Sequence, residues 1–129
     1  SVIASAQKTN AKKKVSELRQ INEICLEAME VFDISSPTDL SIKEIGRLLS
    51  QQWEIKRNLT DIISNSHIND LYERGMSLGA YGGKLLGAGG GGFICFLVPR
   101  GSREWFVGQF TELALTVKLD HVGAALRAV

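Results

Sequence analysis

The chain has 129 residues, a formal net charge of +1, 44% hydrophobic and 22% charged residues. That is one domain's worth of ordinary globular composition, long enough to bury a core without staples. The near-neutral balance argues against nucleic acid as the main partner, because phosphate backbones select a clustered excess of Lys and Arg. No apolar run reaches the ~20 residues of a membrane span, and no secretory signal pattern is visible. The two cysteines, Cys25 and Cys95, lie in apolar runs without metal-ligand spacing, and His67 and His121 are isolated. No metal site is expected, and reduced, buried thiols in a cytoplasmic protein are the simplest reading.

In chain order, the segment from about Lys8 to Phe32 carries Val15, Leu18, Ile21, Ile24, Cys25, Ala28, Met29 and Phe32 at helical spacing. One long helix with an apolar stripe follows from that period. Its basic cluster, Lys12 to Lys14, reads as a solvated face. Ser35, Ser36 and Pro37 break the pattern. Ser41 and Glu44 have the spacing of a capping box, flanked by Leu40 and Ile45 as a hydrophobic staple. The helix they would open carries Leu48, Leu49, Trp53 and Ile55. Residues 58–66 give only a weak helical signal. A third helix is expected from about His67 to Leu78, with Ile68, Leu71, Tyr72 and Met76 inward and Gly79 as the left-handed residue that ends it.

After Gly79 the period changes. Lys84 to Leu86 reads as a short extended piece, and Phe93 to Val98 as a central strand of aromatic and β-branched residues. Ser102 is placed to cap a helix reaching about Leu113, with Phe106, Phe110 and Leu113 inward. Leu115, Val117 and Leu119 alternate as a strand, and Val122, Ala124, Leu126 and Ala128 as another. The expected fold is α+β: a mostly antiparallel four-stranded sheet with helices on one face, a ferredoxin-like variant.

The informative stretch is GAYGGKLLGAGGGGF, residues 79–93. Eight of the chain's 13 glycines fall between Gly79 and Gly92. Each costs roughly 0.5–1 kcal/mol relative to alanine in conformational entropy. So many are retained where the backbone needs positive φ or where something must come close to it, and bare successive N–H groups can converge on an anion. Two familiar phosphate motifs fail. A P-loop needs a glycine five residues before Gly83, where Leu78 stands, and Ser or Thr after Lys84, where Leu85 stands. Gly87, Gly89 and Gly92 match G-x-G-x-x-G, but a strand follows them instead of a helix. A hairpin with purely structural glycines remains open beside the phosphate reading.

Gly79-Ala80, Gly82, Lys84-Leu85, Gly87-Ala88-Gly89 and Gly91-Gly92 resemble the glycine-rich third signature motif of the GHMP kinases (galacto-, homoserine, mevalonate and phosphomevalonate kinases). The element order resembles their C-terminal domain over essentially the whole chain. Within that superfamily, Trp53-x-x-Lys56-Arg57-x-Leu59, the helix over Asn69–Tyr72 and the glycine segment are most similar to sugar kinases of the D-glycero-D-manno-heptose type. The resemblance implies phosphoryl transfer from ATP, with Mg²⁺, to a hydroxyl of a sugar or sugar phosphate, where positioning and charge stabilisation do most of the catalysis. It also implies an N-terminal domain holding the main phosphate loop and the catalytic base. Neither motif occurs in residues 1–129, so no catalytic residue is expected here and the isolated chain is expected to be inactive.

On this reading Gly87, Ala88, Gly89, Gly90 and Gly91 approach the phosphates, while Gly79, Gly82 and Gly83 shape the loop. A Gly89→Val change is expected to impair turnover with the fold mostly intact. Candidates for substrate binding are Lys84, Tyr81, Lys56, Arg57 and Trp53. For each a structural role stays open: solvated strand residue for Lys84, surface ion pairs for Lys56 and Arg57, core for Trp53. A homodimer stays open too. The rival reading is a non-catalytic ligand-binding or oligomerisation module with the same fold.

Overall fold

The computed structural model describes residues 15–32, 38–59, 61–115 and 117. Three helices come first: α1 (Val15–Phe32), α2 (Asp39–Arg57) and α3 (Ser66–Ser77). A hairpin follows, β1 (Gly82–Leu85) and β2 (Ile94–Leu97), and then the short α4 (Arg103–Gly108). The strands are antiparallel, with Gly82 opposite Leu97 and Leu85 opposite Ile94.

Local chemistry explains the ends. The first helix boundary differs from expectation. Thr38, not Ser41, is the N-cap of α2. Its Oγ1 accepts from the Ser41 N–H (3.2 Å), and Ser41 Oγ accepts from the Thr38 N–H (2.7 Å). Both placements satisfy the S/T-x-x spacing, but the earlier one puts Asp39 in the first turn, where the helix dipole favours a carboxylate. Glu44 is left to bind Arg47, and Leu40 is 79% exposed, so the expected staple is absent. Helix α3 starts one residue before the expected position, capped by Asn65, whose Oδ1 accepts from the Ile68 N–H (2.9 Å). Asn65→Ala should lower stability by about 1 kcal/mol, read as a shift in the urea midpoint with an unchanged slope.

The end of α3 is as expected. Gly79 has φ +91°. Its N–H donates to Met76 O (3.0 Å) and the Ala80 N–H to Gly75 O (3.2 Å), the paired bonds of a Schellman turn. That turn feeds the chain directly into β1.

The core gathers Trp53, Ile63, Ile68, Tyr72 and Leu85, flanked by Leu59, Met76, Ile94 and Phe96. Helix α2 lies along β1. The Gly83 N–H, pointing out of the two-strand ladder, donates to Ser50 Oγ (3.2 Å), and Tyr72 Oη donates to the same oxygen (2.9 Å). One serine therefore joins α2, α3 and β1, and the open edge of β1 is occupied by a helix.

Several expectations change. Among the described residues the sheet has two strands, not four. Leu115 and Val117 are exposed and outside any strand. The strand expected over residues 122–128 lies outside the described residues, as do Lys12 to Lys14, the turn at 35–37, Leu119 and His121. With two strands, β2 is half-buried instead of central. Helix α4 stops at Gly108, short of Leu113, which is 78% exposed. Ser102 does not cap it; the hydroxyl donates to Pro99 O instead (2.8 Å). Phe106 and Phe110 do turn inward onto Phe96. On α1, Ile21, Ile24 and Ala28 are half-buried, whereas Met29, Phe32 and Cys25 are exposed. Its apolar stripe is thus only partly covered, and the expectation of a buried Cys25 is corrected.

Candidate phosphate-proximal site

The glycine segment serves several purposes, which the structure separates. Gly82 and Gly83 are strand residues and do not turn the chain. A Cβ on Gly82 would lie 1.7 Å from the Gly46 carbonyl oxygen of α2, and one on Gly83 would lie 2.6 Å from Cys95 O. Their bareness lets α2 and β2 approach, which corrects the loop-shaping role expected for them. Gly79 belongs to the α3 terminus.

The loop itself is Gly87–Gly92. Gly87 (φ +89°), Gly89 (+114°), Gly90 (+77°) and Gly92 (+117°) all occupy backbone conformations that side chains disfavour. Contacts to α2 and to the turn before α3 hold the loop. The Gly90 N–H donates to Ile63 O (2.8 Å), and Lys56 Nζ donates to Gly87 O (2.6 Å). Gly89 fits against Ile63, where a Cβ would meet the backbone at 2.8 Å. Gly91 differs from all of these. Its φ is not positive and a Cβ there would meet nothing within 4 Å. Among the described residues nothing asks for glycine at 91, and the residue is exposed. The Gly89→Val change is therefore a poor probe, since it also displaces the Ile63 backbone.

The candidate side chains divide into groups. Lys56 and Lys84 come together beside the loop. Lys84 Nζ donates to Gln52 Oε1, one turn before Lys56 on α2. Burial, and then the nearby Lys84 charge, hold the Lys56 ammonium below its ordinary pKa. Arg57 cannot join them, because neighbouring helix positions point about 100° apart. Its guanidinium pairs with Glu54 (2.7 Å) and Glu73 (3.8 Å). Trp53 is fully buried, which removes it as a platform for a sugar. Tyr81 is half-buried and lines a separate open cleft of about 730 Å³ with Arg47, Glu54, Tyr72 and Glu73.

The anchoring role of Ile63 and the joining role of Ser50 were not anticipated. Ile63 sits in an irregular turn, and its weak helical signal gave no hint of 0% exposure. Ser50 is a polar residue within an apolar helix stripe, and that was its one available signal.

The helices α2 and α3, the hairpin and its bare loop all lie within one family match. The model of the family described as GHMP kinases C terminal matches residues 38–107, from the α2 cap into α4. The chain belongs to this family. Two curated relatives agree with it. A D-glycero-alpha-D-manno-heptose 7-phosphate kinase from Campylobacter jejuni subsp. jejuni is 37% identical over 54 residues, 42% of this chain and 16% of the relative. A bifunctional fucokinase/GDP-fucose pyrophosphorylase from Arabidopsis thaliana is 28% identical over 83 residues, 64% of this chain and 7% of the relative. The matches thus cover less than a fifth of either relative's length. Both names describe sugar kinases, in keeping with the heptose-type resemblance in Trp53–Leu59 and the glycine segment. No described helix is long and apolar enough to cross a membrane.

Proposed function

We propose that this chain is the C-terminal domain of a cytoplasmic kinase that transfers the γ-phosphoryl group of ATP to a hydroxyl of a heptose-type sugar or sugar phosphate. ATP and Mg²⁺ are held mainly by an N-terminal domain, whose bound metal supplies charge neutralisation at the transferring phosphate. The described residues fit that division. They present the bare backbone of the glycine segment and, next to it, Lys56 bonded to Gly87 O. The residues from Gly87 to Gly91 face the phosphates from the C-terminal side. Their part is to fill the space beside the transferring group without intruding on it, to keep water out, and to hold backbone dipoles in fixed directions before the reaction begins. The bond from Lys56 to Gly87 and the bond from Gly90 to Ile63 supply that rigidity.

The observation that carries this reading is Gly91. The fold tolerates a side chain there, so its absence is explained by something that approaches from outside. Gly91→Val in the full-length enzyme should lower kcat/KM by about 100-fold or more, a loss of the size seen when one preorganised contact is removed. The melting temperature should not fall, because restricting a glycine in a permissive conformation costs the folded state nothing. Wild-type turnover in that variant would take the loop out of the active centre, and failure of the unaltered full-length protein to phosphorylate any heptose-type sugar from ATP would end the proposal.

A further inference from the structure

Lys56 and Lys84 reach the same place from different elements, one from the last turns of α2 and the other from the middle of β1. Both are only partly exposed. Each donates to a neutral oxygen, Gly87 O and Gln52 Oε1 respectively. Among the described residues neither has a carboxylate within ion-pair distance, in contrast to Arg47 and Arg57, which each contact two. Bringing two ammonium groups near enough for one to depress the other's charge, partly withdrawn from water and without a carboxylate partner among the described residues, is unfavourable for the fold alone. Neutral oxygens orient the two groups without neutralising them. Each ammonium has three donors and uses one, so two remain on each.

We propose that Lys56 and Lys84 together form a seat for a phosphate monoester dianion beside the glycine loop. The charge matches two for two, and a phosphate offers enough oxygens to take the free donors of both lysines. A singly charged carboxylate would leave one ammonium uncompensated. Arg57 and Trp53, the neighbouring candidates on α2, take no part. This inference rests on the kinase reading only for the source of the phosphate, which is either a phosphate already on the acceptor or one of the nucleotide's.

The test uses full-length protein with ¹³C-labelled lysine, titrated with inorganic phosphate and followed through the side-chain Cε resonances. The Lys56 and Lys84 signals should shift together and saturate, and both Lys56→Met and Lys84→Met should weaken binding at least about tenfold. Lys84→Met is the decisive variant, because Lys84 does not hold the loop and its loss cannot be attributed to a displaced Gly87. In steady-state kinetics the same variant should raise KM for the acceptor if the acceptor supplies the phosphate, or KM for ATP if the nucleotide does; either supports the seat. Shifts that fail to saturate by roughly 100 mM phosphate, far above the millimolar range of weak binding, would overturn it. So would a Lys56 response unchanged by Lys84→Met. The kinase reading is judged separately by ATP-dependent phosphorylation of heptose-type sugars by the unaltered full-length protein: saturable phosphate binding without any such turnover would sink the kinase reading and leave the seat standing.

Discussion

Gly82→Ala should be the most damaging single-methyl change in the described part of this protein. The added Cβ would lie 1.7 Å from the Gly46 carbonyl oxygen and 2.3 Å from its carbon. Both are backbone atoms inside α2, so no side chain can rotate away. The reciprocal position is equally tight: a Cβ on Gly46 would meet Tyr81 backbone at 2.7 Å. Relief requires α2 to move off β1, which breaks the bond from the Gly83 N–H to Ser50 Oγ and loosens Trp53 and Leu48 on the same helix. Overpacking typically costs 1–3 kcal/mol where side chains can adjust. Here they cannot, so a loss of about 3 kcal/mol or more is expected from a total of roughly 5–15 kcal/mol. Urea denaturation should show a large drop in midpoint for Gly82→Ala and almost none for Gly91→Ala. Equal midpoints for the two variants would mean that the α2–β1 approach is misdescribed.

That contrast shows what could be read along the chain. The change of period at Lys84, the strand ending at Val98 and the left-handed Gly79 are local signals, and each appears close to its expected place. The glycine cluster was visible as a cluster, but its division of labour was not. Gly82 is bare because of Gly46, 36 positions earlier, and Gly89 because of Ile63, 26 positions earlier. No periodicity encodes a neighbour that distant. The same limit hid the bond from Lys56 to Gly87 and made Lys56 and Arg57 look alike, although helix geometry directs one toward the loop and the other toward Glu54 and Glu73. The cap at Thr38 was lost for a different reason. Thr38-x-x-Ser41 and Ser41-x-x-Glu44 overlap, and residue spacing by itself does not choose between them; the acidic Asp39 after Thr38 was the one local signal.

Trp53 poses the second large effect, and it separates a structural role from a binding one. The indole is fully buried and begins a run of ring contacts through the fold: Trp53 to Tyr72 (6.2 Å), Tyr72 to Phe96 (6.1 Å), Phe96 to Phe106 (5.5 Å). These rings join α2, α3, β2 and α4. Truncation to alanine removes the largest fully buried side chain of the described core and should cost about 3–5 kcal/mol. The urea midpoint should fall accordingly. Trp53→Phe should be far milder, for two reasons. Phenylalanine keeps much of the ring contact with Tyr72, and it also removes Trp53 Nε1, a buried donor without a hydrogen-bond partner among the described residues. An orphaned buried donor costs roughly 1–3 kcal/mol, so its removal offsets part of the lost volume. A tryptophan that stacked on a sugar would behave differently, because the Phe variant would then raise the acceptor KM while leaving stability nearly unchanged. A buried one predicts the acceptor KM of Trp53→Phe to stay within about threefold of wild type, a difference of less than 1 kcal/mol. Under the proposed kinase function, acceptor specificity then falls to groups that solvent and substrate can reach, and not to Trp53.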